Sequence, residues 1–236
     1  MRLLVAVVAC VAATTSGCHP PAETTLNTQP DAARAAEDYL RARQVQPLSG
    51  ELQSLLTDPE RQSVPTESHA LLKQPAPSFA LIGADDKKVE LSELLSRGPV
   101  VLVFYYGYGC DHCVAQLFGI NKDLHYFSEL HATIVAVSPD TPEHTRTQYA
   151  EYGKFNFPVL CDRDNRAVAA KYGVFRPATG ELSKWQAHGT FVIGRDRSIR
   201  WANTGAEPFT DNITLLRELA AAEGRLPTPS PKEGKP

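Results

Sequence analysis

Residues 99–117 read PVVLVFYYGYGCDHCVAQL. The first eight are apolar without interruption and rich in β-branched and aromatic side chains. Such a run suits a central strand covered on both faces, not an alternating strand with one wet side. Two cysteines, Cys110 and Cys113, follow where the strand gives way to a helical pattern. Val114, Leu117, Phe118, Leu124, Phe127 and Leu130 recur largely on one stripe, which predicts a helix over 111–130. Cys110 therefore falls at a helix N-terminus, where unpaired N–H groups and the dipole stabilise an anion such as a thiolate. Cys113 lies one turn deeper on the same face, within reach of Cys110. Disulfide exchange needs this spacing: an exposed attacker, then a shielded resolver that releases the mixed disulfide. One CxxC supplies only half of a closed tetrahedral zinc site.

Strand and helix signals alternate on either side of this junction. Strands are predicted over 78–82, 89–91, 133–137 and 157–161. Pro142 opens a helix at its first turn, where proline is tolerated, and further helices are predicted over 166–172 and 212–223. Phe191-Val192-Ile193 and Ser198 to Trp201 form a hairpin around 194–197. This alternation predicts an α/β layered domain with a mostly parallel core. Residues 45–77 mix proline, serine and charge with short leucine pairs and are expected to form a partly ordered linker. A helix is expected over 32–44. The tail from Gly224, GRLPTPSPKEGKP, has nothing to bury and is expected to be disordered.

The first 18 residues, MRLLVAVVACVAATTSGC, carry one basic residue, an apolar run from Leu3 to Ala13, then small residues. That is the layout of a secretory signal, and the run is far short of the roughly 20 residues that span a bilayer. Its end, Thr15-Ser16-Gly17-Cys18, resembles a bacterial lipobox, with Cys18 as the residue that takes lipid. Thr15 departs from the usual leucine. The predicted organisation is a signal peptide over 1–17, a lipidated tether and partly helical linker over 18–74, a domain over 75–223 and a tail over 224–236. The 236 residues carry 24 Lys and Arg against 27 Asp and Glu, a formal net charge of −3. That balance argues against nucleic acid as a partner. Five cysteines are too few for the dense framework of a small stapled domain, and an exported chain keeps them where disulfides persist.

From Ala76 to about Thr210 the chain resembles the thioredoxin superfamily, specifically its AhpC/TSA (peroxiredoxin-like) and TlpA-like redoxin branch. The stretches that carry the resemblance are APSFALIGADDKKVELSELL, PVVLVFYYGYGCDHC, IVAVSPDTPEHTRTQYAEYGKFNFPVLCDRDNRAVAAKYGV and HGTFVIGRDRSIRW, in order. The resemblance implies a thioredoxin-like fold, a central mixed sheet flanked by helices in one domain. It implies a thiol–disulfide oxidoreductase in which Cys110 attacks and Cys113 resolves, without cofactor or metal. Its implied partners are thiols or disulfides of exported proteins, or a membrane redox donor, with peroxide as an alternative substrate. The place implied is the periplasmic or cell-surface face of a bacterial membrane, held there by the lipid on Cys18.

Several positions depart from the family pattern. In peroxiredoxins a threonine stands three residues before the reactive cysteine; here Gly107 does. An arginine is expected near His188, and an acid is common at the position of Cys113. No proline precedes the strand facing the CxxC; His188-Gly189-Thr190 stands there. His112 matches the histidine before the second cysteine of DsbA-type oxidants, whose protonated ring would stabilise a Cys110 thiolate, whereas Asp111 would repel it. Tyr108 stands where thioredoxins place a tryptophan over the dithiol. Cys161 is expected to be a small buried residue, and Arg176 and Trp185 to belong to an inserted loop. Sco-type copper chaperones share the fold, a cysteine pair and a distal histidine, which makes a copper site of Cys110, Cys113 and His188 the competing reading, although that family spaces its cysteines CxxxC.

Overall fold

The computed structural model describes residues 47–179 and 184–226. The proposed signal segment, Cys18, the helix expected over 32–44 and the tail beyond 226 lie outside them.

The strand predicted from the apolar run is β3, Val100–Phe104, and all five of its residues are buried. Its two faces serve two cores. Val101 and Val103, with Tyr105 beyond them, enter one; Val100, Leu102 and Phe104 enter the other. The remaining strands are β1 (Ala80–Gly83), β2 (Lys88–Glu90), β4 (Thr133–Ser138), β5 (Val159–Cys161), β6 (Phe175–Arg176), β7 (Trp185–Gln186), β8 (His188–Ile193) and β9 (Ile199–Gly205). Seven of them form one mixed sheet in the order β2-β1-β5-β4-β3-β8-β9. β3 runs parallel to β4 and antiparallel to β8. The central strand is thus hydrogen-bonded on both edges and packed on both faces.

The helices are α1 (Gly50–Thr57), α2 (Leu91–Arg97), α3 (Asp111–Lys122), α4 (Leu124–Glu129), α5 (Pro142–Tyr152), α6 (Ala167–Lys171) and α7 (Asn212–Ala222). Leucines and aromatics of α1, α3, α4 and α7 cover one face of the sheet. Leucines of α2 and Val168 of α6 cover the other. Capping follows the sequence: Ser49 Oγ accepts from the Leu52 N–H, and Thr141 Oγ1 from the His144 N–H one residue before Pro142.

Four features differ from the sequence-based expectation, the first being that the sheet is mostly antiparallel, with only β3–β4 and β4–β5 paired in parallel among the described residues. The helix expected over 111–130 is two helices broken at Asp123, whose carboxylate accepts a hydrogen bond from Asn212 Nδ2 of α7 at 2.8 Å. The segment expected to be a linker packs as part of the domain, which therefore begins well before residue 75: Leu52 and Leu56 of α1 are 0% and 5% exposed. Beyond α1 the chain lies along the edge of β9. There Trp201 Nε1 donates to Val64 O, and the N–H groups of Glu67 and Lys73 donate to Ala202 O and Ile199 O. This strap covers an edge strand that would otherwise present unpaired backbone groups. Finally, the inserted stretch before the hairpin carries a two-stranded ladder, with Phe175 opposite Gln186 and Arg176 opposite Trp185.

Candidate active site

The loop leaving β3 sets the position of Cys110. Gly107 has φ +103°, in the region that favours glycine, and a Cβ there would fall 2.6 Å and 2.7 Å from the two Asp140 carboxylate oxygens. Asp140 is fixed from both sides. Its own N–H donates to Ser138 Oγ at 3.2 Å, and its Oδ2 accepts from the Tyr108 N–H at 3.3 Å. The Cys110 N–H then donates to Gly107 O. Cys110 is thereby placed as N-cap of α3, and its sulfur accepts from the Cys113 N–H at 3.3 Å. A residue at this position has its sulfur among the free N–H groups of the first turn, where negative charge is stabilised.

Cys110 and Cys113 form a disulfide, with their Cα atoms 5.3 Å apart, an ordinary span for such a bond. The two sulfurs stand in different surroundings. Cys110 is half-buried, whereas Cys113 is fully buried on the inner face of α3. An incoming group therefore reaches Cys110 first.

His188, the first residue of β8, closes the inner side. Its Nε2 lies 2.9 Å from Cys113 Sγ and 3.9 Å from Cys110 Sγ. The ring is buried, and Tyr106 stacks on it with centroids 4.2 Å apart. Tyr106 is itself held by its hydroxyl, which donates to Gln186 O at 3.0 Å. Burial pushes the imidazole below its ordinary pKa and the nearby His112 adds to this. Glu207 and the polar backbone at Gly205 and Ala206 oppose the shift without reversing it. Among the described residues no hydrogen bond of ordinary geometry reaches Nδ1. The site thus presents a neutral imidazole to the buried sulfur. Beneath it Gln116 Nε2 donates to Thr190 Oγ1 at 2.9 Å.

The structure brings Cys110, Cys113 and His188 together and leaves two sequence candidates at the margin. His112 is exposed, and Nδ1 pairs with Glu207 Oε2 at 3.7 Å across the mouth of the site. Tyr108 contributes its backbone to the loop, while its ring stacks on Phe155 and meets Tyr149 edge-on. The aromatic ring against the site histidine is Tyr106 instead. Cys161 is a free buried thiol at the end of β5, pushed up in pKa by burial. Sequence reasoning missed Asp140 and the Tyr106–His188 stack. The only sequence trace of Asp140 is its place just past a buried strand end, where α/β sheets carry their sites. The ligand atoms of Cys110, Cys113 and His188 all lie within 4.8 Å of one another. Two thiolates and an imidazole, once the disulfide is reduced, form a donor set that suits a soft ion.

A model of the AhpC/TSA family matches residues 72–202. A candidate peroxiredoxin of Mycobacterium tuberculosis (strain ATCC 25618 / H37Rv), Rv1608c, is 37% identical over 109 residues, which are 46% of this chain and 69% of that protein. The thiol-disulfide oxidoreductase ResA of Bacillus subtilis (strain 168) is 27% identical over 95 residues, 40% of this chain and 52% of ResA. Among solved structures, the peroxidoxin BcpB from Mycobacterium tuberculosis superposes with a TM-score of 0.56 at 28% identity, over 66% of this chain and 98% of BcpB.

Proposed function

The chain belongs to the AhpC/TSA family and is an oxidoreductase or thiol peroxidase; within that class we propose that it is a thiol–disulfide oxidoreductase working through Cys110 and Cys113. One observation carries this reading. The pair is closed as a disulfide whose outer sulfur caps a helix and whose inner sulfur is fully buried 2.9 Å from a buried imidazole.

In the reducing direction the Cys110 thiolate attacks one sulfur of a partner disulfide, and the other partner sulfur leaves as a thiolate. The mixed disulfide so formed is resolved by Cys113. Its thiol proton passes to Nε2 of His188, and the thiolate attacks Cys110 Sγ. The second partner sulfur departs and takes up a proton, and the Cys110–Cys113 bond has formed as two electrons moved to the partner. The oxidising direction is the same path reversed. A general base must stand within hydrogen-bond reach of the proton it takes, and the His188 imidazole, 2.9 Å from Cys113 Sγ, meets that need.

Peroxide reduction through Cys110 is the neighbouring reading. Against it stands Gly107, where the family's threonine hydroxyl is absent and the Asp140 carboxylate fills the space a side chain would need. Export and a lipid on Cys18 complete the proposal, supported by the apolar run over Leu3–Ala13 and the Thr15-Ser16-Gly17-Cys18 end. Among the described residues no helix is long and apolar enough to cross a membrane.

Hydroxyethyl disulfide turnover, regenerated by dithiothreitol, tests the reading against hydrogen peroxide consumption in the same preparation. Disulfide turnover that is lost in Cys110→Ser, with slow peroxide consumption, is the expected result. Fast peroxide consumption that needs Cys110 and survives Cys113→Ser would make the protein a peroxidase. Copper handling, favoured by the clustering of the three ligand atoms, predicts tight copper binding by reduced protein that His188→Ala abolishes.

A further inference from the structure

On its inner side Cys110 meets Cys113 and His188, which are 0% and 4% exposed. A groove of about 620 Å³ begins at Gly109 and Asp111, the residues on either side of Cys110, and runs between α3 and α5, past Val114, Phe118, Gln148 and Tyr152. Phe118 is 43% exposed and Tyr152 is 57% exposed, so two of the six large apolar side chains exposed among the described residues line this one groove. Phe118 stands one turn beyond Val114 on α3. Its ring is held by an edge contact with Phe155, centroids 5.0 Å apart. An exposed aromatic already fixed in place loses little entropy when it is covered, a property of interface anchors.

We propose that this groove docks an apolar side chain of a polypeptide partner, seated beside the partner cysteine that bonds to Cys110. The proposal rests on the thiol–disulfide reading above and names its substrate class. Size and charge select the occupant. Hydrogen peroxide, with two oxygen atoms against the one of a water whose share is roughly 30 Å³, would fill only a small part of the groove. Low-mass peptide disulfides such as glutathione disulfide are anionic, and the groove holds the Asp111 carboxylate with no lysine or arginine among the described residues that line it. An apolar side chain on an extended segment fits the aromatic walls, and Asp111, His144 and Gln148 offer hydrogen-bonding groups to its backbone.

The test compares two disulfide substrates, insulin and hydroxyethyl disulfide, on the full chain with dithiothreitol as reductant. Phe118→Ser is expected to lower the ratio of kcat/KM for insulin to that for hydroxyethyl disulfide about tenfold, close to 1.4 kcal/mol of lost docking. Tyr152→Ser, at the more exposed position, is expected to lower it about threefold and guards against a folding defect in the first variant. An unchanged ratio in both variants overturns the proposal. Loss of cumene hydroperoxide consumption in both, with insulin reduction intact, also overturns it and assigns the groove to an alkyl peroxide. Absence of hydroxyethyl disulfide turnover in the unsubstituted protein would fell the functional reading itself, and the docking proposal with it.

Discussion

Gly107→Ala is expected to destabilise the protein by roughly 2–4 kcal/mol. The first contribution is conformational. At φ +103° an alanine sits in a region that costs a residue with a side chain about 1–3 kcal/mol. The second is contact. The new Cβ falls within 2.6–2.9 Å of the Asp140 carboxylate, so Asp140 must move and its hydrogen bond from the Tyr108 N–H is lost. Asp140 is part-exposed, so solvent screening brings that loss down to the roughly 1 kcal/mol of an ordinary hydrogen bond. For a domain of this size 1 kcal/mol shifts Tm by about 2–4 °C, giving a fall of about 4–16 °C. Calorimetry on Gly107→Ala, Asp140→Ala and the pair reads the contact directly. Removing Asp140 relieves the overlap and leaves the backbone strain, so the double variant should cost about 0.5–3 kcal/mol less than the sum of the singles. By the same reasoning Gly107→Thr alone should bring no gain in peroxide consumption. A Gly107→Ala protein melting within about 1 °C of the original, or costs that simply add, would refute the account of this loop.

Cys113→Ser should trap a mixed disulfide between Cys110 and a partner thiol, seen as an intact-mass adduct, whereas Cys110→Ser should trap none. Leu52→Ala should cost about 2–5 kcal/mol in urea unfolding, because Leu52 is fully buried; a near-neutral effect would return α1 to the status of a linker. His188 should make oxidised protein less stable in acid. Its folded pKa is lowered by burial below the unfolded value of about 6.5, so its contribution is whole above that pH. It is lost as pH falls below 6.5 toward the folded value, where the unfolded chain binds the proton first. His69 shifts the same way by burial, so His188→Gln should flatten the stability–pH curve in part, and an unaltered curve would contradict a buried neutral ring.

The elements legible in the sequence are those whose cause is local. The unbroken run 99–106 announced a strand buried on both faces, and β3 serves both cores. The cysteine pair announced a helix start, and Cys110 caps α3. What stayed hidden is tertiary. The break at Asp123 carries neither proline nor glycine, and its partner Asn212 lies 89 positions away. The strap along β9 bonds through its backbone and through Thr66 and Glu67, polar residues that carry no periodicity to mark them as part of a sheet edge. His188 was visible as a candidate, yet its preference for Cys113 over Cys110, and its stack on Tyr106, depend on the β3–β8 register, with Phe104 opposite Gly189. Periodicity alone does not supply that register.

The central claim is a reversible two-electron couple between Cys110 and Cys113. It is tested most directly by alkylating free thiols across a glutathione redox series and reading intact mass. A single transition is expected in which both cysteines change together, its steepness that of a two-electron couple, a tenfold change in equilibrium constant per about 30 mV, and it should be lost in either Cys110→Ser or Cys113→Ser. Protein that stays dithiol at every poise, or that loses one thiol at a time, would contradict it.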